Sequence, residues 1–164
     1  MTVSPDVKDF ISLLEKHRVK YVLIGGHAVG LHGCIRTTED IDFFTEPTVE
    51  NGALMAAVFD EFASPQFLTD RTALSKPEKM VEIGLAPNRI HVLTGIAGVT
   101  FREVWDSRLR MKFSDFEINV IGRDALRKNK LATGRSKDKA DVELMDRYDA
   151  VMKARGSKPG RKTS

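Results

Sequence analysis

The chain has 164 residues, of which 41% are hydrophobic and 30% charged, close to the average of globular domains. This length predicts one domain with a core of its own, and the composition excludes a disordered or fibrous chain. Because no apolar run approaches the roughly 20 residues of a bilayer span, no membrane segment is expected. The N-terminal residues do not have the pattern of a signal peptide. The single cysteine, Cys34, excludes an internal disulfide and favours a cytoplasmic location.

The positive charge of the chain is concentrated at its C-terminus. The formal net charge is +3, but five of the 26 basic residues lie in the last 12 residues, which contain no acid. Without these five, 21 basic residues face 23 acidic ones, so the body is not typical of a nucleic-acid-binding domain. We expect one domain over residues 1–154 and a disordered basic tail over 155–164. The tail is either a solubilising end or a weak contact for RNA.

Helical and strand patterns alternate in the first part of the chain. Ser4-Pro5 is a helix-start signal, and apolar residues at helical spacing predict an amphipathic helix over residues 5–18. A short apolar run, ended by Gly25-Gly26, predicts a buried strand over 21–24. The patterns that follow predict further elements: a helix over 27–31, a strand through 41–44 and a helix over 49–63.

The second part of the chain is typical of hairpins followed by helices. Residues 64–79 have no clear period and are expected to form a loop with a short strand. Two hairpins are predicted, one with strands at 80–84 and 89–93 and one with strands at 108–113 and 116–121. A helical turn at 101–106 and helices over 123–132 and 136–154 complete the pattern. Since hairpins are antiparallel while helices separate the other strands, the sequence predicts a small mixed α/β (α+β) domain.

The most informative segment is the glycine pair after the first predicted strand. Gly25 and Gly26 allow the backbone to approach a ligand closely, and the start of a helix presents free N–H groups that suit phosphate. The spacing differs from G-x-G-x-x-G, which disfavours a dinucleotide site. A simple tight turn remains an alternative.

Two aspartates on the next strand add a second signal. Asp40 and Asp42 are two residues apart, so their side chains project from the same face of a strand. Their mutual repulsion is removed by a divalent cation, and Mg²⁺ prefers carboxylate and phosphate oxygens. Metal-assisted phosphoryl chemistry combines these features. The alternative, two solvated acids, suits Asp40 better than Asp42, which lies between Ile41 and Phe43.

These residues resemble a known family. The Gly-Gly turn followed by Arg36-Thr37-Thr38-Glu39-Asp40-Ile41-Asp42 is similar to the signature of the DNA polymerase β-type nucleotidyltransferase superfamily. The similarity is to its small bacterial branch of minimal nucleotidyltransferases and abortive-infection toxins. Residues 89–94 resemble the strand that carries the third acid of the family. Lys130, Gly134-Arg135 and the Asp138-x-x-Asp141 pair resemble its later elements, so the resemblance spans roughly residues 19–146.

The resemblance implies a mixed sheet flanked by helices, with the site on one edge. It implies a catalytic set of Asp40, Asp42, His91 and Lys130, in which the two aspartates ligate Mg²⁺ or, as a substitute, Mn²⁺. It implies that an NTP is held by Gly25, Gly26, Arg36, Thr38, Lys130 and Arg135. Asp138 and Asp141 share a helix face and would support this site; alternatively, they form a surface charge cluster beside Lys137.

One position departs from the family pattern. His91 stands where relatives that transfer nucleotides usually have an aspartate, and a neutral imidazole is a poorer ligand for Mg²⁺. If the hairpin loop covers residues 85–88, Glu82 lies directly opposite His91 on the same sheet face. Glu82 then either supplies the missing carboxylate or raises the pKa of His91. Decay of the site is the third alternative.

Two function classes follow from these patterns. The first is an Mg²⁺-dependent nucleotidyltransferase that moves a nucleoside monophosphate from an NTP to RNA, protein or a small molecule. The second is a non-catalytic nucleotide-binding or toxin–antitoxin module with a small protein partner and a degenerate site; a structural protein on an inherited fold is the remaining case. His27, His32 and Cys34 invite a zinc interpretation, but their spacing fits no standard zinc motif.

Overall fold

A computed structural model describes residues 3–62 and 68–156. Within these ranges the helices are α1 (Pro5–Lys16), α2 (Gly25–Leu31), α3 (Val49–Phe62), α4 (Phe101–Ser107), α5 (Arg123–Thr133) and α6 (Ser136–Ala154). The strands are β1 (Tyr21–Ile24), β2 (Asp40–Thr45), β3 (Met80–Ile83), β4 (Arg89–Leu93), β5 (Leu109–Phe113) and β6 (Phe116–Val120). A 3₁₀ turn spans Ala73–Ser75.

The strands form one mixed six-stranded sheet in the order β3-β4-β2-β1-β6-β5. β2 pairs with β4 and β1 with β6 in parallel, while the β1–β2, β3–β4 and β5–β6 pairs are antiparallel. Both predicted hairpins are present, and the mixed α/β fold predicted from the sequence is confirmed. The parallel β2–β4 pair brings the strand of the two aspartates beside the strand of His91.

Local chemistry explains the first helix. The Ser4 side chain accepts a hydrogen bond from the backbone N–H of Val7 at 3.3 Å, and Pro5 occupies the first turn. The buried face consists of the predicted stripe: Val7, Phe10, Ile11 and Leu14. This stripe packs on the β-sheet, where the Phe10 and Phe43 ring centroids are 5.5 Å apart.

Several boundaries differ from the sequence-based expectations. α1 ends at Lys16, before Arg18 adopts a φ of +54° that no helix continues. α2 begins at Gly25 itself and not at residue 27. The short strand expected within 64–79 is absent from residues 68–79, where a 3₁₀ turn is found instead.

The structure describes only the first two residues of the tail predicted over residues 155–164. α6 ends at Ala154, and the backbone N–H groups of Arg155 and Gly156 still donate to Val151 and Lys153 carbonyls. The remaining tail residues, 157–164, lie outside the described residues, so the disorder expected for them stays a prediction. Among the described helices, none has the length and apolar character required to cross a membrane.

Candidate active site

The β1–α2 turn needs glycine because another strand comes so close. Gly25 has a φ of +73°, a conformation that L-residues with a side chain rarely adopt. A Cβ at Gly25 would overlap the Oδ2 atom of Asp42, and one at Gly26 would lie 2.9 Å from the Cβ of Thr38. The glycine pair therefore makes room for Asp42 and for the segment that leads into β2.

Asp40 and Asp42 line one cleft together with the glycine turn. We call this the carboxylate cleft; it has a volume of about 440 Å³ and is lined also by His91, Lys130 and Arg135. The two carboxylates are 24% and 23% exposed, so both are reachable from solvent. The predicted same-face arrangement of the two aspartates is confirmed, and four further residues of the sequence-based site set lie in the same cleft: Gly25, Gly26, Thr38 and Asp138.

Each carboxylate has a cationic or hydrogen-bonding partner on β4. The parallel register places Asp40 beside Arg89 and Asp42 beside His91. Arg89 Nε donates to Asp40 Oδ1 at 2.8 Å, and His91 Nδ1 lies 2.8 Å from Asp42 Oδ1. Arg89 was not among the residues singled out from the sequence. The sequence feature that could have identified Arg89 is a shared spacing: Arg89-x-His91 matches Asp40-x-Asp42, and the two strands pair in parallel.

His91 also contacts Glu82, as the hairpin geometry predicts. Glu82 pairs with His91 in the β3–β4 register, and His91 Nε2 lies 2.9 Å from Glu82 Oε2. The imidazole therefore bridges two carboxylates, Asp42 and Glu82. Since carboxylates only accept hydrogen bonds when ionised, both contacts are hydrogen bonds only when both ring nitrogens carry a proton.

A buried charge network forms the opposite wall of the cleft. Lys130 Nζ lies 2.9 Å from Asp138 Oδ1 and 2.9 Å from Asp141 Oδ2. The three residues are only 5%, 1% and 3% exposed. The alternative of a surface charge cluster at Asp138 and Asp141 is therefore wrong, because α5 packs against α6 and covers both. Among the described residues, Lys137 pairs with neither aspartate.

Hydrogen bonds together lower the pKa of Asp138 more than burial raises it. Burial raises the pKa of this carboxyl, but hydrogen bonds from the Thr133 hydroxyl, Lys130 and Arg135 lower the pKa to about 2. Arg135 Nε donates to Asp138 Oδ2 at 2.7 Å. Asp138 is therefore ionised at neutral pH and holds the two cations in place at the cleft wall.

The segment before β2 ties the two sides of the site together. Arg36 Nε donates to Asp141 Oδ1 at 2.7 Å, which links this segment to the Lys130 network. The Thr38 hydroxyl lies 3.2 Å from the Asp40 carbonyl oxygen and 3.4 Å from the Asp40 backbone nitrogen. Arg36 and Thr38 therefore hold the entry to β2, and their predicted contacts with a nucleotide remain predictions.

The donor set at β2 fits Mg²⁺ better than zinc. No cluster of three His, Cys, Asp or Glu side chains suitable for a metal occurs within residues 3–62 and 68–156. His32 Nε2 lies 2.7 Å from the Ile121 carbonyl oxygen, and Cys34 is buried, which argues against the zinc interpretation. Asp42 Oδ2 faces the glycine turn, where Gly25 leaves room for it. Two carboxylates completed by substrate phosphates and water suit Mg²⁺.

Comparison with known proteins identifies the fold. Searches found no matching family model and no matching curated protein. A solved structure from Thermotoga maritima, described as a "putative nucleotidyltransferase", aligns with a TM-score of 0.60 over 94% of this chain and 96% of that chain. The fold is nucleotidyltransferase-like. At 14% identity the similarity concerns the fold, and the bacterial branch expected from the sequence stays a prediction.

Proposed function

We propose that this protein is an Mg²⁺-dependent nucleotidyltransferase that moves a nucleoside monophosphate from an NTP to an acceptor and releases pyrophosphate. The acceptor class is RNA, protein or a small molecule. The observation that carries the proposal is the placement of Asp40, Asp42, the Gly25–Gly26 turn and Lys130 around one cleft. The nucleotidyltransferase-like fold supports it.

The acidic residues of the cleft would bind the metal ion, and the basic residues would bind phosphate. Asp40 and Asp42 would hold Mg²⁺, which when bound neutralises phosphate charge and lowers the pKa of an attacking hydroxyl. Arg135 and Lys130 would attract the triphosphate from the opposite wall. Gly25 and Gly26 line the cleft, and their lack of side chains would let the backbone approach a phosphate beside Asp42 closely.

The direct test is the variant Asp42→Asn. We expect it to abolish Mg²⁺-dependent binding of a non-hydrolysable NTP while leaving the melting temperature nearly unchanged, because Asn keeps the shape and removes the charge. Calorimetric titration with and without Mg²⁺ measures this, with the exposed Asp115→Asn as the control variant. Transfer from each α-labelled NTP to cell lysate and to tRNA then tests catalysis. Unchanged nucleotide affinity in Asp42→Asn would contradict the proposal.

A non-catalytic nucleotide-binding or toxin–antitoxin module is the second candidate. It is favoured by the Arg89–Asp40 and His91–Asp42 contacts, since both carboxylates already have partners within the chain. NTP binding that survives simultaneous replacement of Asp40 and Asp42 by Asn would support this candidate. A neighbouring gene for a small protein that binds this chain tightly would support it as well.

A further inference from the structure

Lys130 has little freedom to contact a ligand, although it lies in the wall of the carboxylate cleft. Its ammonium group lies 2.9 Å from an oxygen of Asp138 and 2.9 Å from an oxygen of Asp141, and the residue is 5% exposed. Separating a buried cation from its carboxylate partners is costly, so Lys130 stays paired. With Arg36 and Arg135, the network has three cations for two aspartates. It therefore still attracts anions, but Lys130 itself serves to hold α5 against α6.

The arginines beside Asp40 are paired as well. A groove that shares Asp40 and Lys137 with the carboxylate cleft is lined by Arg36 and Arg89. Arg36 donates to Asp141 at 2.7 Å, and Arg89 donates to Asp40 at 2.8 Å. A phosphate that approached either guanidinium group would therefore compete with a carboxylate that is already bound.

Lys137 differs from these cations because its charge is not neutralised. It is exposed, and it lines both the carboxylate cleft and the groove beside Asp40. Asp141, which lies one helical turn further along α6, is occupied by Lys130 and Arg36. Within residues 3–62 and 68–156, no carboxylate forms an ion pair with Lys137.

The geometry of α6 explains why adjacent residues have such different surroundings. Asp138, Asp141 and Met145 are buried and mark the inner face of the helix. Lys137 precedes Asp138 by one residue, which turns its side chain by about 100° around the helix axis, towards the cleft. Lys139 is turned by the same angle in the opposite direction; it is also exposed, but it lines neither the cleft nor the groove.

We propose that Lys137 binds the triphosphate directly, whereas Lys130 is a positioning residue of the cleft wall. The inference rests on the proposed function and adds a binding residue that the sequence resemblance does not assign. A lysine ammonium has three donors on a flexible stem, so Lys137 can follow phosphate oxygens across the cleft from Asp40 and Asp42. No carboxylate has to be displaced when it does so.

The experiment compares the same substitution at two neighbouring positions of α6. Calorimetric titration with Mg²⁺ and a non-hydrolysable NTP should show that Lys137→Ala weakens binding about tenfold, the effect of one lost hydrogen bond to a charged group. The matched control, Lys139→Ala, should stay within about twofold of the wild-type affinity. Lys137→Arg keeps the charge and should stay within about threefold.

The salt dependence shows whether the lost contact is ionic. Salt screens the attraction between an exposed ammonium and phosphate. NTP binding should therefore weaken less steeply with rising salt in Lys137→Ala than in the wild type or in Lys139→Ala. Equal salt dependence in all three proteins would contradict a direct contact of Lys137 with phosphate.

Melting temperatures separate the roles of the two lysines. Lys130→Met leaves Asp138 and Asp141 buried without their shared cation, so we expect a clear fall in melting temperature, whereas Lys137→Ala should melt as the wild type does. Equal melting temperatures of Lys130→Met and the wild type would overturn the positioning role of Lys130.

Nucleotide binding by the wild type distinguishes failure of this inference from failure of the proposed function. If the wild type binds the NTP and Lys137→Ala binds it equally well, the inference is wrong and the proposed function stands. The same holds if Lys139→Ala loses as much affinity as Lys137→Ala. If the wild type does not bind the NTP in the presence of Mg²⁺, the proposed function itself is contradicted.

Discussion

At the scale of residues, Asp40 and Asp42 of β2 each contact a side chain of the neighbouring strand β4. The ion pair of Arg89 with Asp40 involves side chains that are 36% and 24% exposed. Ion pairs with such solvent access contribute about 0–1 kcal/mol. They orient the carboxylates at small energetic cost, so a cation bridged to phosphate can compete with them for the same oxygens.

The position of His91 gives the sharpest test of the metal site. His91→Asp places a third negative charge next to Asp42 and Glu82, and two charges 4 Å apart interact by roughly 4 kcal/mol at an effective dielectric of about 20. Part of this gain is lost when the ion is dehydrated, so we expect the affinity for Mg²⁺ to rise about tenfold. Calorimetric titration with Mg²⁺ and a non-hydrolysable NTP measures the change.

The control for this variant is His91→Asn, which removes the imidazole without adding charge. Its affinity for Mg²⁺ should stay within about threefold of the wild-type value. Equal affinities of His91→Asp and wild type would mean that Glu82 already fills the role of the third acid, or that no metal binds beside Asp42. Either outcome would remove His91 as the residue that limits metal binding.

The low pKa of Asp138 predicts that the free energy of unfolding decreases at acidic pH. Its pKa of about 2 in the folded state is below the ordinary value of 3.8, so ionised Asp138 stabilises the fold above pH 4. This contribution is lost as the pH falls from about 4 towards 2, and it amounts to about 2 kcal/mol.

The variant Asp138→Asn isolates this contribution. At pH 7 it should lower the free energy of unfolding by about 3 kcal/mol, because it leaves Lys130 buried beside one fewer carboxylate. Urea unfolding should show that the difference from wild type narrows by about 1.5 kcal/mol between pH 5 and pH 2.5. A constant difference over this range would show that the Asp138 carboxyl is not held ionised by its neighbours.

At the scale of elements, three connections build the site. The β1–α2 turn brings Gly25 against Asp42, and the parallel β2–β4 pair aligns the aspartates with Arg89 and His91. The α5–α6 hairpin buries the Lys130 network. Gly134 separates these two helices with a φ of +67°, the left-handed conformation typical of a helix end. Each connection depends on local turn chemistry, but only their combination makes a cleft.

Gly25 and Gly134 both have a positive φ. Comparing alanine substitutions at these two positions measures the effect of placing a side chain against Asp42. Gly25→Ala forces alanine into the left-handed region, at a cost of about 1–2 kcal/mol, and also drives its Cβ into Asp42. Gly134→Ala incurs the same backbone penalty with no atom within 4 Å of the new Cβ. We therefore expect Gly25→Ala to lower the melting temperature more than Gly134→Ala, and to weaken Mg²⁺-dependent NTP binding at least tenfold.

Only the excess over the Gly134→Ala control reports on the contact with Asp42. Thermal unfolding and calorimetry on the two purified variants provide both values. Equal loss of stability in the two variants, with NTP binding intact in both, would show that Asp42 moves without consequence. The glycine turn would then serve the chain reversal alone.

At the scale of the whole molecule, the site lies where the middle of the sheet meets α2, α5 and α6. β2 is an inner strand, flanked by β1 and β4, and its first residues carry the aspartates. Helix α6, near the C-terminus, also reaches the site. Its Asp141 contacts Arg36, which lies 105 positions earlier in the sequence. Integrity of the site therefore depends on residues from nearly the full described length.

The C-terminal tail is expected to contribute little to this architecture. Deletion of residues 155–164 should change the free energy of unfolding by less than about 0.5 kcal/mol, the range of exposed positions without special contacts. Thermal unfolding of the shortened chain measures this. A large fall in melting temperature would mean that the tail packs on the body, and the domain limit predicted at residue 154 would then be wrong.

The sequence determined those features that depend on neighbours along the chain. Helix α1, the glycine turn, the same-face placement of Asp40 and Asp42, and the pairing of Glu82 with His91 follow from residue period and turn length. The mixed α/β fold follows from the alternation of these elements. Such features are predictable because a few adjacent residues set the backbone geometry.

Only the tertiary structure decided which charges meet. Arg89 and Asp40 are 49 residues apart, and their contact requires β2 and β4 to be parallel neighbours, an arrangement that neither strand encodes alone. Burial of Asp138 and Asp141 likewise depends on how α5 packs against α6, so the same two acids were equally consistent with an exposed cluster. A cavity of about 320 Å³, which shares Thr38 with the carboxylate cleft, is formed by α1, α2, the segment before β2 and two hairpins. Packing of distant elements sets such contacts, because each arises from the shape of the whole core and not from any local pattern.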